Sequence, residues 1–176
     1  METKQIPVKA LMWLRFFITG ACILSGWLTG GGIDRYIVQL PAWRHIDILT
    51  WAEFSRHADL GNGLFVYPFE GIGGLLLLIV SSFVLIIHRN NRILNSLSVP
   101  AYFATGFAVI GLILTLFAAP AMLSLRTIAN DPTLLQNAFD RFYYWSLFRG
   151  IAQVLSFFGC IWAMARAFGT TNFINS

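Results

Sequence analysis

Charge is scarce in this sequence. Twelve Lys and Arg and eight Asp and Glu make up 11% of its 176 residues, less than half of the roughly 25% with which a soluble domain coats its surface. Histidine is limited to His45, His57 and His88, and glutamate to Glu2, Glu53 and Glu70. These counts exclude a histidine-rich membrane di-iron centre and a ferritin-like four-glutamate site. The two cysteines, Cys22 and Cys160, both lie in apolar stretches, so they read as small core residues and not as a disulfide or a metal knuckle. Basic residues are scattered singly, with no run to track a phosphate backbone, and nucleic acid is not expected as a partner. GxSxG, CxxC and HExxH are all missing, and Gly71-Ile72-Gly73-Gly74 lacks the third glycine of a dinucleotide fingerprint.

What the chain has in quantity is apolar side chains, 57% of the total. A helical span takes about 20 residues, and four stretches qualify, at about 11–28, 69–87, 99–125 and 142–165. The expected fold is therefore all-α: one domain, an integral membrane four-helix bundle whose partner is the lipid bilayer. The basic start followed by an apolar run resembles a signal peptide, but three more spans follow, so the first stretch reads as a retained helix. Lys4, Lys9 and Arg15 begin the first span and only Arg35 follows it closely, which places both termini in the cytoplasm. Trp27, Trp43, Trp51, Tyr67 and Trp145 then fall near the outer boundary, where amphipathic aromatics collect.

The long outer connection, 30–67, opens on Gly30-Gly31-Gly32 and passes Pro41 and Gly61-Asn62-Gly63. This punctuation leaves one candidate helix at about 42–58, a short helical lid over the bundle. In the competing reading the first span continues past the glycines as one long helix to Leu40.

Arg149 is the most informative residue. It lies seven residues inside the fourth span counted from Phe142, roughly 10 Å deep at 1.5 Å per residue, and an ionisable group inside a membrane is a functional candidate by default. Glu70 sits at the mouth of the second span on the same side, so the two are expected to form an ion pair, with Gln153 one turn deeper than Arg149. One reading makes this pair a structural fixture of helix register. The other has Arg149 orient an anionic or carbonyl oxygen of an amphiphile flanked by Trp51, Tyr67 and Trp145. On the lid, Glu53 and His57 stand at i and i+4 on one helical face, where they read as a solvated surface, as two ligands of a metal with His45 or Asp59 as a third, or as the base of cofactor-free chemistry. No cofactor and no metal are implied.

In order along the chain come a glycine-interrupted first span, an outer loop with Pro41 and Trp51-Ala52-Glu53-Phe54, a Tyr67-Pro68 approach to the second span, and a last span opening Trp145-Ser146-Leu147-Phe148-Arg149. This order resembles the anthrone-oxygenase-like family of small four-helix membrane proteins. The resemblance covers nearly the whole chain and implies a four-helix bundle that oxidises a polycyclic aromatic with little cofactor support. Two function classes stand open. One is a membrane oxidoreductase for a hydrophobic aromatic or quinone-like substrate, with His57 or Glu53 as base. The other is a non-catalytic protein, either an accessory subunit joined to partner membrane subunits or to its own copies, or a binding protein for an amphiphile.

Overall fold

The computed structural model describes residues 8–169. Among them every regular element is helical: α1 (Val8–Asp34), α2 (Leu40–Trp43), α3 (Ile48–His57), α4 (Gly63–Ile87), α5 (Arg92–Asn95), α6 (Ser98–Leu123) and α7 (Pro132–Gly169). Two π-helical segments, Arg35–Gln39 and Ala58–Asn62, join α1 to α2 and α3 to α4. With these joints included, four helices are long and apolar enough to cross a membrane: Val8–Trp43, Ile48–Ile87, Ser98–Arg126 and Pro132–Gly169.

The helices run longer than the hydropathy pattern predicts, for local reasons. α1 carries on through Gly30, Gly31 and Gly32, as in the competing reading above, because a break in an apolar setting would strand backbone N–H and C=O groups that water cannot reach. α4 starts at Gly63 and runs through Pro68. α7 starts ten residues before Phe142, where Pro132 supplies a preset φ and Asp131 accepts hydrogen bonds from the Thr133 and Leu134 amides at 2.8 and 3.1 Å. α3 occupies the C-terminal part of the expected 42–58 helix, with Asp47 accepting from the Leu49 amide at 3.1 Å as its N-cap.

Packing contacts run from α1 to α4, α4 to α6, α6 to α7 and α7 back to α1, which makes the four long helices a closed ring. The α6–α7 seam is lined by small residues, Ala101, Ala104 and Gly111 on α6 and Ala152, Ser156 and Gly159 on α7. A Cβ on Gly159 would stand 2.9 Å from the N, Cα and Cβ of Ala104, and Ser156 donates to the Ala104 carbonyl at 2.9 Å. Small side chains are what permit so close an approach of two backbones. At the α3 end a cluster of Leu40, Trp51, Leu125, Leu135, Phe139 and Phe142 closes the bundle; at the other end Leu14, Ile18, Leu85, Leu94 and Leu97 do so. The outward faces are apolar too, with Phe16, Phe83, Leu116 and Phe158 all exposed.

Arg56 fastens α3 to the end of α6. Its guanidinium donates to the Leu125 carbonyl (3.0 Å), the Ile128 carbonyl (3.0 Å) and Asn130 Oδ1 (2.9 Å), satisfying carbonyls that a helix C-terminus leaves without partners.

Candidate functional site

Between the two end clusters, toward the α3 end, the four long helices do not meet fully and leave a cavity of about 460 Å³. That volume is within the range of small-molecule sites. Its apolar wall includes Leu28, Leu64, Leu75, Met122 and Phe142, and its polar groups include Thr29, Arg35, Asp59, Glu70, Arg149 and Gln153.

The π-helical segments place two of these groups. Arg35 opens the first such segment and Asp59 lies in the second, and the two form an ion pair whose side chains are 12% and 3% exposed. Arg35 also donates to the Tyr67 hydroxyl at 3.0 Å, and Tyr67 donates to Asp59 Oδ1 at 3.4 Å. Gly63 makes room for this arrangement, since a Cβ there would sit 2.7 Å from the Tyr67 ring. The arginine head lies 5.3 Å from the Tyr67 ring centre and 5.9 Å from that of Phe142, in cation–π range. Asp59 Oδ1 is thus well held, while the buried Oδ2 has no hydrogen-bond partner.

Arg149 comes from α7 into the same wall. Among the described residues it makes no ion pair, and its buried Nε has no partner. The expected pair with Glu70 is not formed. Glu70 lines the cavity with 3% exposure, but the empty space lies between helices where a direct contact was expected, and the ion pair that does form is Arg35–Asp59. Gln153 lines the cavity one turn below Arg149; its backbone carbonyl accepts from Thr29 at 3.3 Å, and its side chain fits beside Gly32, where a Cβ would be 3.4 Å from Oε1.

Tyr67, Glu70, Arg149 and Gln153 therefore share one site, and Trp51, Trp145, Glu53 and His57 lie elsewhere. Trp51 is fully buried edge-on against Phe139, with ring centres 5.0 Å apart. Trp145 stacks on Phe117 at 4.8 Å. His57 Nε2 and Glu53 Oε1 lie 3.0 Å apart with their side chains 80% and 63% exposed, on a face of α3 that does not line the cavity. No third metal-ligating side chain joins them among the described residues. The sequence offers Asp59 only as a further metal ligand beside Glu53 and His57, whereas it pairs with Arg35; the pair itself went unrecognised, because the glycines near each, Gly30-Gly31-Gly32 before Arg35 and Gly61 and Gly63 after Asp59, read as loop punctuation. No protein-family model, curated protein or solved structure matches this chain.

Proposed function

We propose that this chain is a multi-pass membrane protein that binds an amphiphile, with the ligand's head in the cavity and an anionic oxygen of that head on Arg149. The observation that carries the reading is the guanidinium of Arg149, which lies in the cavity wall with no carboxylate paired to it among the described residues. An arginine keeps its charge in a protein, and an uncompensated buried charge costs several kcal/mol. An anionic head removes that cost, whereas a neutral carbonyl hydrogen-bonds the group and leaves the charge in place. Ile72, Leu112 and Leu123 belong to the wall and are also 46%, 40% and 41% exposed, so an apolar tail has a way out between α4 and α6 into the lipid. In this reading the termini are cytoplasmic, and α3 with the two π-helical segments forms the outer lid.

The test is extraction and mass spectrometry of what co-purifies with the protein from membranes. One class of acid-headed amphiphile is expected to be enriched over bulk lipid near one per chain, and Arg149→Gln is expected to cut that enrichment at least tenfold while the bundle still assembles. Equal lipid profiles for the two proteins refute the reading. Labelling of an Asn91→Cys variant in a Cys22- and Cys160-free background tests the topology, and modification by an impermeant reagent from outside would reverse it.

The oxidation implied by the anthrone-oxygenase-like resemblance is a second reading. One observation favours it: Asp59 and Glu70, two carboxylates able to serve as a base, line the cavity. It moves the base from His57 and Glu53 to these residues, and it predicts oxygen uptake with a polycyclic aromatic substrate that Asp59→Asn abolishes.

A further inference from the structure

The charged groups of the cavity wall are Asp34, Arg35, Asp59, Glu70 and Arg149, two basic and three acidic. A head carrying only an anionic oxygen satisfies Arg149 but adds negative charge beside an acidic surplus. Two acceptors in the wall also lack donors. Asp59 is 4% exposed and held through Oδ1 alone, with Oδ2 buried and unpartnered. Glu70 is 3% exposed, and no hydrogen bond or ion pair to its carboxylate forms among the described residues. A buried carboxylate oxygen without a donor is costly, and a charge-assisted N–H···O bond is the strongest remedy.

We propose, building on the amphiphile reading above, that the ligand's head is zwitterionic: its anionic oxygen binds Arg149 and its primary ammonium donates to the carboxylates of Asp59 and Glu70, which line the cavity. Arg149 and Asp59 are in the same wall but not in contact, which suits a head whose two charges are separated by a short linker. A quaternary ammonium does not fit. It has no N–H for these carboxylates, and the two aromatic faces beside Asp59, those of Tyr67 and Phe142, already carry the Arg35 guanidinium. The same head chemistry occurs in a membrane phospholipid and in free phosphoethanolamine. The exposed wall residues Ile72, Leu112 and Leu123 favour the lipid.

The experiment measures binding to the full-length protein in nanodiscs with four probes: 1-myristoyl lysophosphatidylethanolamine, the lysophosphatidylcholine and lysophosphatidate of the same chain, and free phosphoethanolamine. The ethanolamine lysolipid is expected to bind at least tenfold tighter than either of the others. Asp59→Asn should reduce that preference below threefold, and Arg149→Gln should weaken all three lysolipids together. Where Asp59→Asn fails to assemble, the double variant Arg35→Gln with Asp59→Asn, which removes the ion pair as a unit, carries the same expectation. Equal binding of the ethanolamine and choline forms, lost in Arg149→Gln, overturns the ammonium site and leaves the anionic-head reading intact. Absence of saturable binding by every lysolipid overturns both. Displacement of the lysolipid by free phosphoethanolamine keeps the zwitterion site and overturns its lipid source.

Discussion

Replacing Gly159 and Gly106 by alanine, one at a time, tests whether the α6–α7 seam sets the stability of the bundle. An added methyl at an open helical glycine stabilises by about 1 kcal/mol, because alanine loses less backbone entropy on folding. Gly106 offers that case, with nothing within 4 Å of its Cβ direction. At Gly159 the same methyl lands 2.9 Å from three atoms of Ala104, two of them backbone. Backbone in a packed helix cannot swing aside, so α6 and α7 must separate. Overpacking of this kind costs about 1 to 3 kcal/mol, and separation also stretches the Ser156–Ala104 hydrogen bond of 2.9 Å, a contact of about 1 kcal/mol. Gly159→Ala should therefore destabilise by about 1 to 3 kcal/mol net of its propensity gain, while Gly106→Ala is neutral to stabilising. Unfolding by sodium dodecyl sulfate in mixed micelles, followed by circular dichroism, reads both. Gly159→Ala at wild-type stability, or an equal loss in both variants, refutes the seam as the tight contact.

Three more outcomes follow from the same structure. Arg35→Met or Asp59→Leu alone should cost about 3 to 5 kcal/mol because each leaves a buried charge, and the double variant should recover most of it; a double-mutant cycle measures the recovery. Arg56→Ala should destabilise by about 2 kcal/mol through loss of its three hydrogen bonds at the end of α6, and Arg56→Lys should recover little, since an ammonium does not match the guanidinium fork; chemical unfolding checks both. His57→Ala and Glu53→Ala should change stability by less than about 0.5 kcal/mol, as exposed positions do, and should leave ligand affinity unaltered in the nanodisc assay.

The helical class and the four long apolar helices were legible because hydropathy over a 20-residue window is a strong signal. Their ends were not. Gly30-Gly31-Gly32 breaks a helix in water and not in this setting, and the Asp131–Pro132 start of α7 lies in a polar segment outside any hydropathy window. Arg149 was legible as a lone charge in an apolar run, while its partner was not, because a cavity separates it from Glu70 and sequence carries no record of empty space. Arg35 and Asp59 were hidden for another reason. Each lies beside glycines that mark a loop, where no helical face is read, and 24 residues of sequence separate the two partners. Trp51 was misplaced because an aromatic on an amphipathic helix looks the same whether it meets a ligand or, as here, the Phe139 ring.

The ring of helices closes where α1 meets α7. Arg15 Nε reaches the Ala167 carbonyl at 3.0 Å, Ser25 meets Cys160 at 3.8 Å, and Thr29 reaches Gln153, so the flank of α1 stays open until α7 has left the ribosome. Without α7 the other three long helices form a three-sided trough whose inward polar side chains lack a fourth wall. Arg149 arrives on the final helix, so the cation enters only after the other three walls of its cavity stand. A chain terminated after α6 would thus have neither the fourth wall of the cavity nor the cation in it.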